Sequence, residues 1–118
     1  MTDSFVLYHN PRCSKSRAAL ELLQARGIAP QVVLYLETPP DAAALRDLLQ
    51  RLDLAPRALL RTGEAVYSEL GLADPVLDDE AIIAAMAAHP RLIERPILLH
   101  GTRAVVGRPT ERLLDLLP

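Results

Sequence analysis

The chemistry of this chain is concentrated in one stretch, Tyr8 to Arg17, which reads Y-H-N-P-R-C-S-K-S-R and holds the only cysteine. His9, Arg12, Lys15 and Arg17 surround Cys13 with potential cations. A free thiol, with a pKa of about 8.5, is only a few per cent ionised at pH 7, whereas cysteines at helix N-termini or beside cations fall to roughly 3.5 to 7.5. Cys13 is therefore expected to work as a thiolate nucleophile. A lone cysteine can also be a small apolar core filler. Here its neighbours Arg12 and Ser14 are polar and Pro11 stiffens the approach, which favours the reactive reading.

The flanking elements explain the placement. Phe5, Val6 and Leu7 form a short apolar run suited to a buried strand. Ala18 to Arg26 reads as a helix with Leu20 and Leu23 on one face, and Gly27 is placed to end it. Cys13 then sits where a strand hands over to a helix N-terminus, where free N–H groups and the positive end of the dipole stabilise negative charge. Gln31 to Leu36 is a second strand candidate, ended by Thr38-Pro39-Pro40. Asp41 caps a helix carrying Leu45, Leu48, Leu49 and Leu52, Pro56 opens a short helical piece through Leu60, and Val66 to Leu70 forms a further turn closed by Gly71. Asp78 caps a helix with Ile82, Ile83 and Met86 that Pro90 ends, so a largely helical insert occupies about 41–90. Ile97 to Leu99 and Ala104 to Val106, joined by the polar turn His100 to Arg103, predict a hairpin. Pro109, at a first helical position, opens a last helix with Leu113, Leu114, Leu116 and Leu117. The order βα, β, helical insert, ββα predicts an α/β fold, a thioredoxin-like mixed sheet flanked by helices.

Length and composition bound the rest. At 118 residues the chain is read as a single domain spanning 1–118, able to bury one core without metal or disulfide. One cysteine excludes an internal disulfide, and no stretch approaches the length of a membrane span. The polar N-terminus shows no signal peptide, so a soluble, cytoplasmic, monomeric protein is expected. The formal charge of -2 gives no basic field for nucleic acid.

Three arginines stand at element boundaries: Arg61 closing R-A-L-L-R, Arg95 before a strand, and Arg108 in G-R-P before a helix. Singly, each reads as an exposed loop side chain. Together they suit an anionic tetrahedral substrate, because guanidinium groups bond oxyanions bidentately and keep their charge. Bringing a thiolate to about 4 Å from a dianion costs on the order of 8 kcal/mol at an effective dielectric near 20, and two or three arginines remove that barrier. In a thioredoxin-like sheet the segment before the third strand faces the cysteine loop, so Arg95-Pro96 is a candidate cis bond that aims Arg95 at Cys13.

These residues resemble the ArsC family of arsenate reductases, the thioredoxin-fold branch that draws electrons from glutathione and glutaredoxin. The likeness runs through Y-H-N-P-x-C-x-x-S-R at Tyr8–Arg17, Y-L-E-T-P-P at Tyr35–Pro40, R-A-L-L-R at Arg57–Arg61, E-L-G-L-A at Glu69–Ala73, R-P-I at Arg95–Ile97 and R-P-T-E at Arg108–Glu111, with R-C-S-K-S in the wording of a short YfgD-like subgroup. The resemblance implies that Cys13 is the nucleophile, that His9 favours its thiolate, that Ser16 belongs to the same catalytic group, and that Arg61, Arg95 and Arg108 bind substrate. It implies arsenate as substrate, glutathione as co-substrate, glutaredoxin as partner, no bound cofactor or metal, and a place in arsenical resistance. Two other readings stand beside it. An Spx-like, non-catalytic transcriptional regulator is disfavoured because its disulfide sensing needs C-x-x-C, whereas Ser16 fills the second place here. A glutathione-linked thiol transferase could use C-x-x-S, but leaves the three arginines without a task.

Overall fold

The structure, a computed structural model, describes residues 4–117. The polar start at Met1 to Asp3, on which the expectation of no signal peptide rests, and Pro118 lie outside the described residues. By its contacts the chain divides into two compact units, one running up to Thr38 and resuming at Arg95, the other Pro39–Glu94.

In the first unit, β1 (Phe5–Tyr8), α1 (Ser14–Ala25) and β2 (Gln31–Val33) are followed, after the second unit, by β3 (Ile97–His100), β4 (Arg103–Val106) and a 3-10 helix, Thr110–Leu116. The sheet order is β2-β1-β3-β4. β1 runs parallel to β2, with Leu7 opposite Val32, and antiparallel to β3, with Leu7 opposite Leu98; β3 and β4 form the expected hairpin. Strand alternation sends Leu7, Leu98 and Val105 to one face, where Ala19 and Leu23 of α1 and Leu113 and Leu116 of the last helix close a core. Ser16, Ala19 and Leu23 are the buried positions of α1, so its inner face centres on Ala19 and Leu23. Gly27, at φ +77°, ends the helix in the left-handed region that a glycine adopts without a Cβ clash.

Two expectations are corrected here. β2 stops at Val33 rather than Leu36, because the N–H groups of Glu37 and Thr38 both turn back to the Leu34 carbonyl, 2.9 Å each, and fold that segment into a turn. The last helix is 3-10 rather than α, and Pro109 precedes it in extended conformation instead of occupying its first turn. Its buried pair, Leu113 and Leu116, lies three residues apart, the spacing that a three-residue turn keeps on one side.

The second unit holds α2 (Ala42–Leu52), α3 (Ala65–Glu69), α4 (Asp79–Ala88) and two 3-10 turns, Pro56–Leu59 and Pro90–Leu92. Asp41 and Asp78 cap α2 and α4, accepting from the N–H groups of Ala44 (2.8 Å) and Ala81 (2.9 Å). An antiparallel bridge pairs Leu60 with Ile93, flanked by Arg61 N–H to the Leu92 carbonyl (2.7 Å) and Glu94 N–H to the Leu59 carbonyl (2.8 Å). Arg57 staples the loop before α4, its guanidinium donating to the carbonyls of Leu72, Asp74 and Leu77. No helix of the described residues is long and apolar enough to cross a membrane.

Gly107 shows how tightly the end of β4 is drawn in. A Cβ there would meet Leu113 Cδ2 at 2.9 Å and Pro96 Cγ at 3.1 Å. Gly107→Ala is expected to destabilise the protein by about 1–3 kcal/mol, the usual cost of overpacking. A urea melt checks it, and an unchanged midpoint would show that the neighbours yield freely.

Candidate active site

Cys13 is the N-cap of α1, with an extended backbone (φ -99°, ψ 123°), so its side chain stands over the first helical turn. The loop that presents it is internally bonded. The Cys13 N–H donates to the Asn10 carbonyl (3.0 Å), the Arg12 N–H to Asn10 Oδ1 (3.0 Å), and Arg17 reaches back from α1 to the Pro11 carbonyl (2.9 Å). Asn10 thereby folds its own loop, the local turn chemistry that Asn side chains favour.

Burial pushes the Cys13 thiol up, but the amides of Ser16 and Lys15 and the guanidinium of Arg95 outweigh it, and the pKa falls below the ordinary thiol value. The sulfur makes no capping hydrogen bond of strict geometry, yet it feels the first-turn amide dipoles. Arg95 adds both charge and a side-chain hydrogen bond. Cys13 is partly exposed, so a small substrate can reach it.

His9 corrects an expectation. It was anticipated as one of the cations around the sulfur, but it is 94% buried, and desolvation, with the nearby Arg17 charge, holds its pKa below the usual histidine value despite the bond to Ser16. Burial thus favours the neutral imidazole. Ser16, fully buried, accepts from the Asn10 N–H (2.9 Å) and lies 2.7 Å from His9 Nδ1. Among the described residues that nitrogen is the only acceptor for the Ser16 hydroxyl proton, which places the imidazole proton on Nε2. His9 and Ser16 thus brace the loop through hydrogen bonds, while charge comes from Arg95.

Arg108 joins the group through the backbone, its Nε donating to the Arg95 carbonyl (2.7 Å). Both Arg95-Pro96 and Arg108-Pro109 are cis; the second was not anticipated. Cys13, His9, Ser16, Arg95 and Arg108 all belong to the first unit. Arg61 belongs to the second, where its guanidinium lies 3.2 Å from Glu64 and 4.0 Å from Glu94, and Glu64 also meets Arg91 at 3.4 Å. Among the described residues no three His, Cys, Asp or Glu side chains cluster as metal ligands.

Comparison with known proteins identifies the arrangement. The model of the ArsC family matches residues 8–116. The chain belongs to the ArsC family. It is 53% identical over 117 residues to the uncharacterized protein YfgD of Escherichia coli K12, with 98% of each chain covered. It is 54% identical over 108 residues to an arsenate reductase of Neisseria meningitidis, covering 91% of this chain and 92% of that one. Among solved structures, an arsenate reductase from Vibrio cholerae superposes with a TM-score of 0.96 at 52% identity, covering 99% of this chain and 100% of the other. The α/β fold, a mixed four-stranded sheet with helices, is the thioredoxin-like architecture expected from the element order.

Some contributors were missed in the sequence. Asn10 was readable, since Asn-Pro before a functional residue is a turn signal. Gly107, drawn close to Leu113 and Pro96, had only its place between β4 and Arg108 to mark it.

The lowered thiol pKa makes a direct test available. Iodoacetamide alkylation of Cys13, followed against pH, should show a midpoint below that of free cysteine. Arg95→Ala should move that midpoint upward, because it removes a cation that favours the thiolate. A midpoint at the free-cysteine value in the unaltered protein would contradict the assigned thiolate.

Proposed function

We propose that this protein is an arsenate reductase coupled to glutathione and glutaredoxin, with Cys13 as nucleophile. The observation that carries the reading is the pairing of a thiolate-favouring Cys13 with Arg95, whose carbonyl in turn anchors Arg108. The names of the relatives add support. A guanidinium at the sulfur counters the repulsion between thiolate and oxyanion that would otherwise stop the attack. The family resemblance adds Arg61 as a further oxyanion-binding residue.

The steps follow from the thiol count. Cys13 thiolate attacks As(V), an S–As bond forms, and one arsenate oxygen leaves as water after taking up protons. Glutathione adds in the same way, forming a second S–As bond as a second water leaves. A glutaredoxin thiolate then attacks the glutathione sulfur. That S–As bond breaks with its electron pair remaining on arsenic, which becomes As(III), and glutathione and glutaredoxin depart as a mixed disulfide. Water displaces Cys13 and releases arsenite. Two external thiols are oxidised for one two-electron reduction, and Cys13 returns unchanged.

The test is arsenate-dependent NADPH oxidation with glutathione, glutathione reductase and glutaredoxin. Cys13→Ser should abolish turnover. Arg95→Ala and Arg108→Ala should each lower kcat/KM by about 10- to 100-fold, matching about 1.5–3 kcal/mol for a lost charge-assisted bond. Arg103→Ala, on the exposed start of β4, should leave it unchanged. Equal losses at all three arginines would mean the anion is bound elsewhere.

A second prediction concerns the electron source. With no other cysteine in the chain, thioredoxin and its reductase alone should not sustain arsenite production. Continuous turnover under those conditions would rule out the proposed cycle.

A further inference from the structure

Beside the Cys13 loop, within the first unit, is a cleft of about 270 Å³ that none of these steps uses. Pro11, Leu34 and Leu36 give it an apolar wall. Arg12 and Glu37, both exposed, bring opposite charges to it, and neither is in an ion pair among the described residues. The buried His9 ring also lines it. Since Nδ1 faces Ser16, the Nε2–H is the nitrogen left without a hydrogen bond to a described residue. The cleft thus offers two donors for an anion, one carboxylate for a cation, and aliphatic surface for a short body.

That set complements a small zwitterion rather than an inorganic oxyanion, which would leave Glu37 repelled and the leucines uncovered. We propose that this cleft seats glutathione, with Arg12 and His9 Nε2–H taking a carboxylate of the tripeptide, Glu37 taking its ammonium, and Leu34 and Leu36 covering its aliphatic part. Position supports the choice. Asn10, Pro11 and Arg12, which line the cleft, lead directly into Cys13, and the Asn10 carbonyl holds the Cys13 N–H, so the cleft belongs to the loop that presents the sulfur. The inference rests on the reading that glutathione supplies the second thiol, and it assigns that thiol a seat separate from the arginines that meet arsenate.

The test uses the full chain and S-methylglutathione, which binds without reacting. Titration followed by NMR should shift the His9 imidazole and the amides of Asn10, Arg12, Leu36 and Glu37. Arg12→Gln and Glu37→Gln should each weaken that binding, and raise the KM for glutathione, by about tenfold, as expected for one charge-assisted bond. Neither side chain is among the causes of the Cys13 shift, so the alkylation midpoint and the KM for arsenate should stay in place. Binding at the cleft in a protein that shows no arsenate turnover would support the seat while removing the proposed reaction. Glutathione-dependent turnover with no shift at these residues, with shifts confined elsewhere, or with an unchanged KM for glutathione in both variants, would overturn the seat and leave the reaction standing.

Discussion

The stabilisation of negative charge on one sulfur atom organises the first unit of this protein. Three donors provide it: two amides that α1 leaves unbonded at its first turn, and the guanidinium of Arg95. Each comes from a different level of the structure. The amides exist because Cys13 is the N-cap, and Cys13 is the N-cap because Asn10 and Pro11 fold the preceding loop so that the helix begins at Ser14. Arg95 precedes β3, which pairs with β1 along its whole length, so the register Tyr8 opposite Ile97 brings the end of one strand and the start of the other together. The sheet core, with Leu7 and Leu98 fully buried, fixes that register. Packing thus determines where the cation meets the thiolate.

The same constraint extends to Arg108. Its place depends on Gly107, whose N–H bonds the Pro96 carbonyl at 2.9 Å and whose missing Cβ leaves room for Leu113. The two arginines are therefore held as a pair, one bonded to the backbone of the other.

Much of this was legible in the sequence, for identifiable reasons. Short apolar runs bounded by glycine and proline marked β1, β3 and β4, and aspartates four residues before a buried stripe marked α2 and α4. The end of β2 was not legible, because Leu34 and Leu36 read as strand residues while the competing turn is made by backbone bonds to Leu34. The 3-10 character of Thr110–Leu116 was hidden in the same way, since leucines at positions three and four apart satisfy either helix. At the site, Cys13, His9, Ser16, Arg95 and Arg108 were all singled out in advance. The state of His9 was not, because protonation depends on burial, and nothing in the residues around His9 states that it is 6% exposed.

The pKa shifts also bear on stability. Both Cys13 and His9 are lowered relative to the ordinary values of their types. For each, the folded state prefers the deprotonated form, so its contribution is fully present above the unfolded pKa and is lost as pH falls through the folded pKa. The fold therefore favours the thiolate that the chemistry needs and the neutral imidazole that receives the Ser16 proton. Stabilising a thiolate has an opposing effect, because nucleophilicity declines as pKa falls, and the best attacking thiol has a pKa near the ambient pH. Arg95 can satisfy both demands. Its guanidinium favours the ionised sulfur in the free protein; under the proposed function the same planar group would also offer its donors to the incoming oxygens, drawing less on the sulfur at the moment of attack. A lysine there would supply the charge without the planar fork that bonds an oxyanion bidentately.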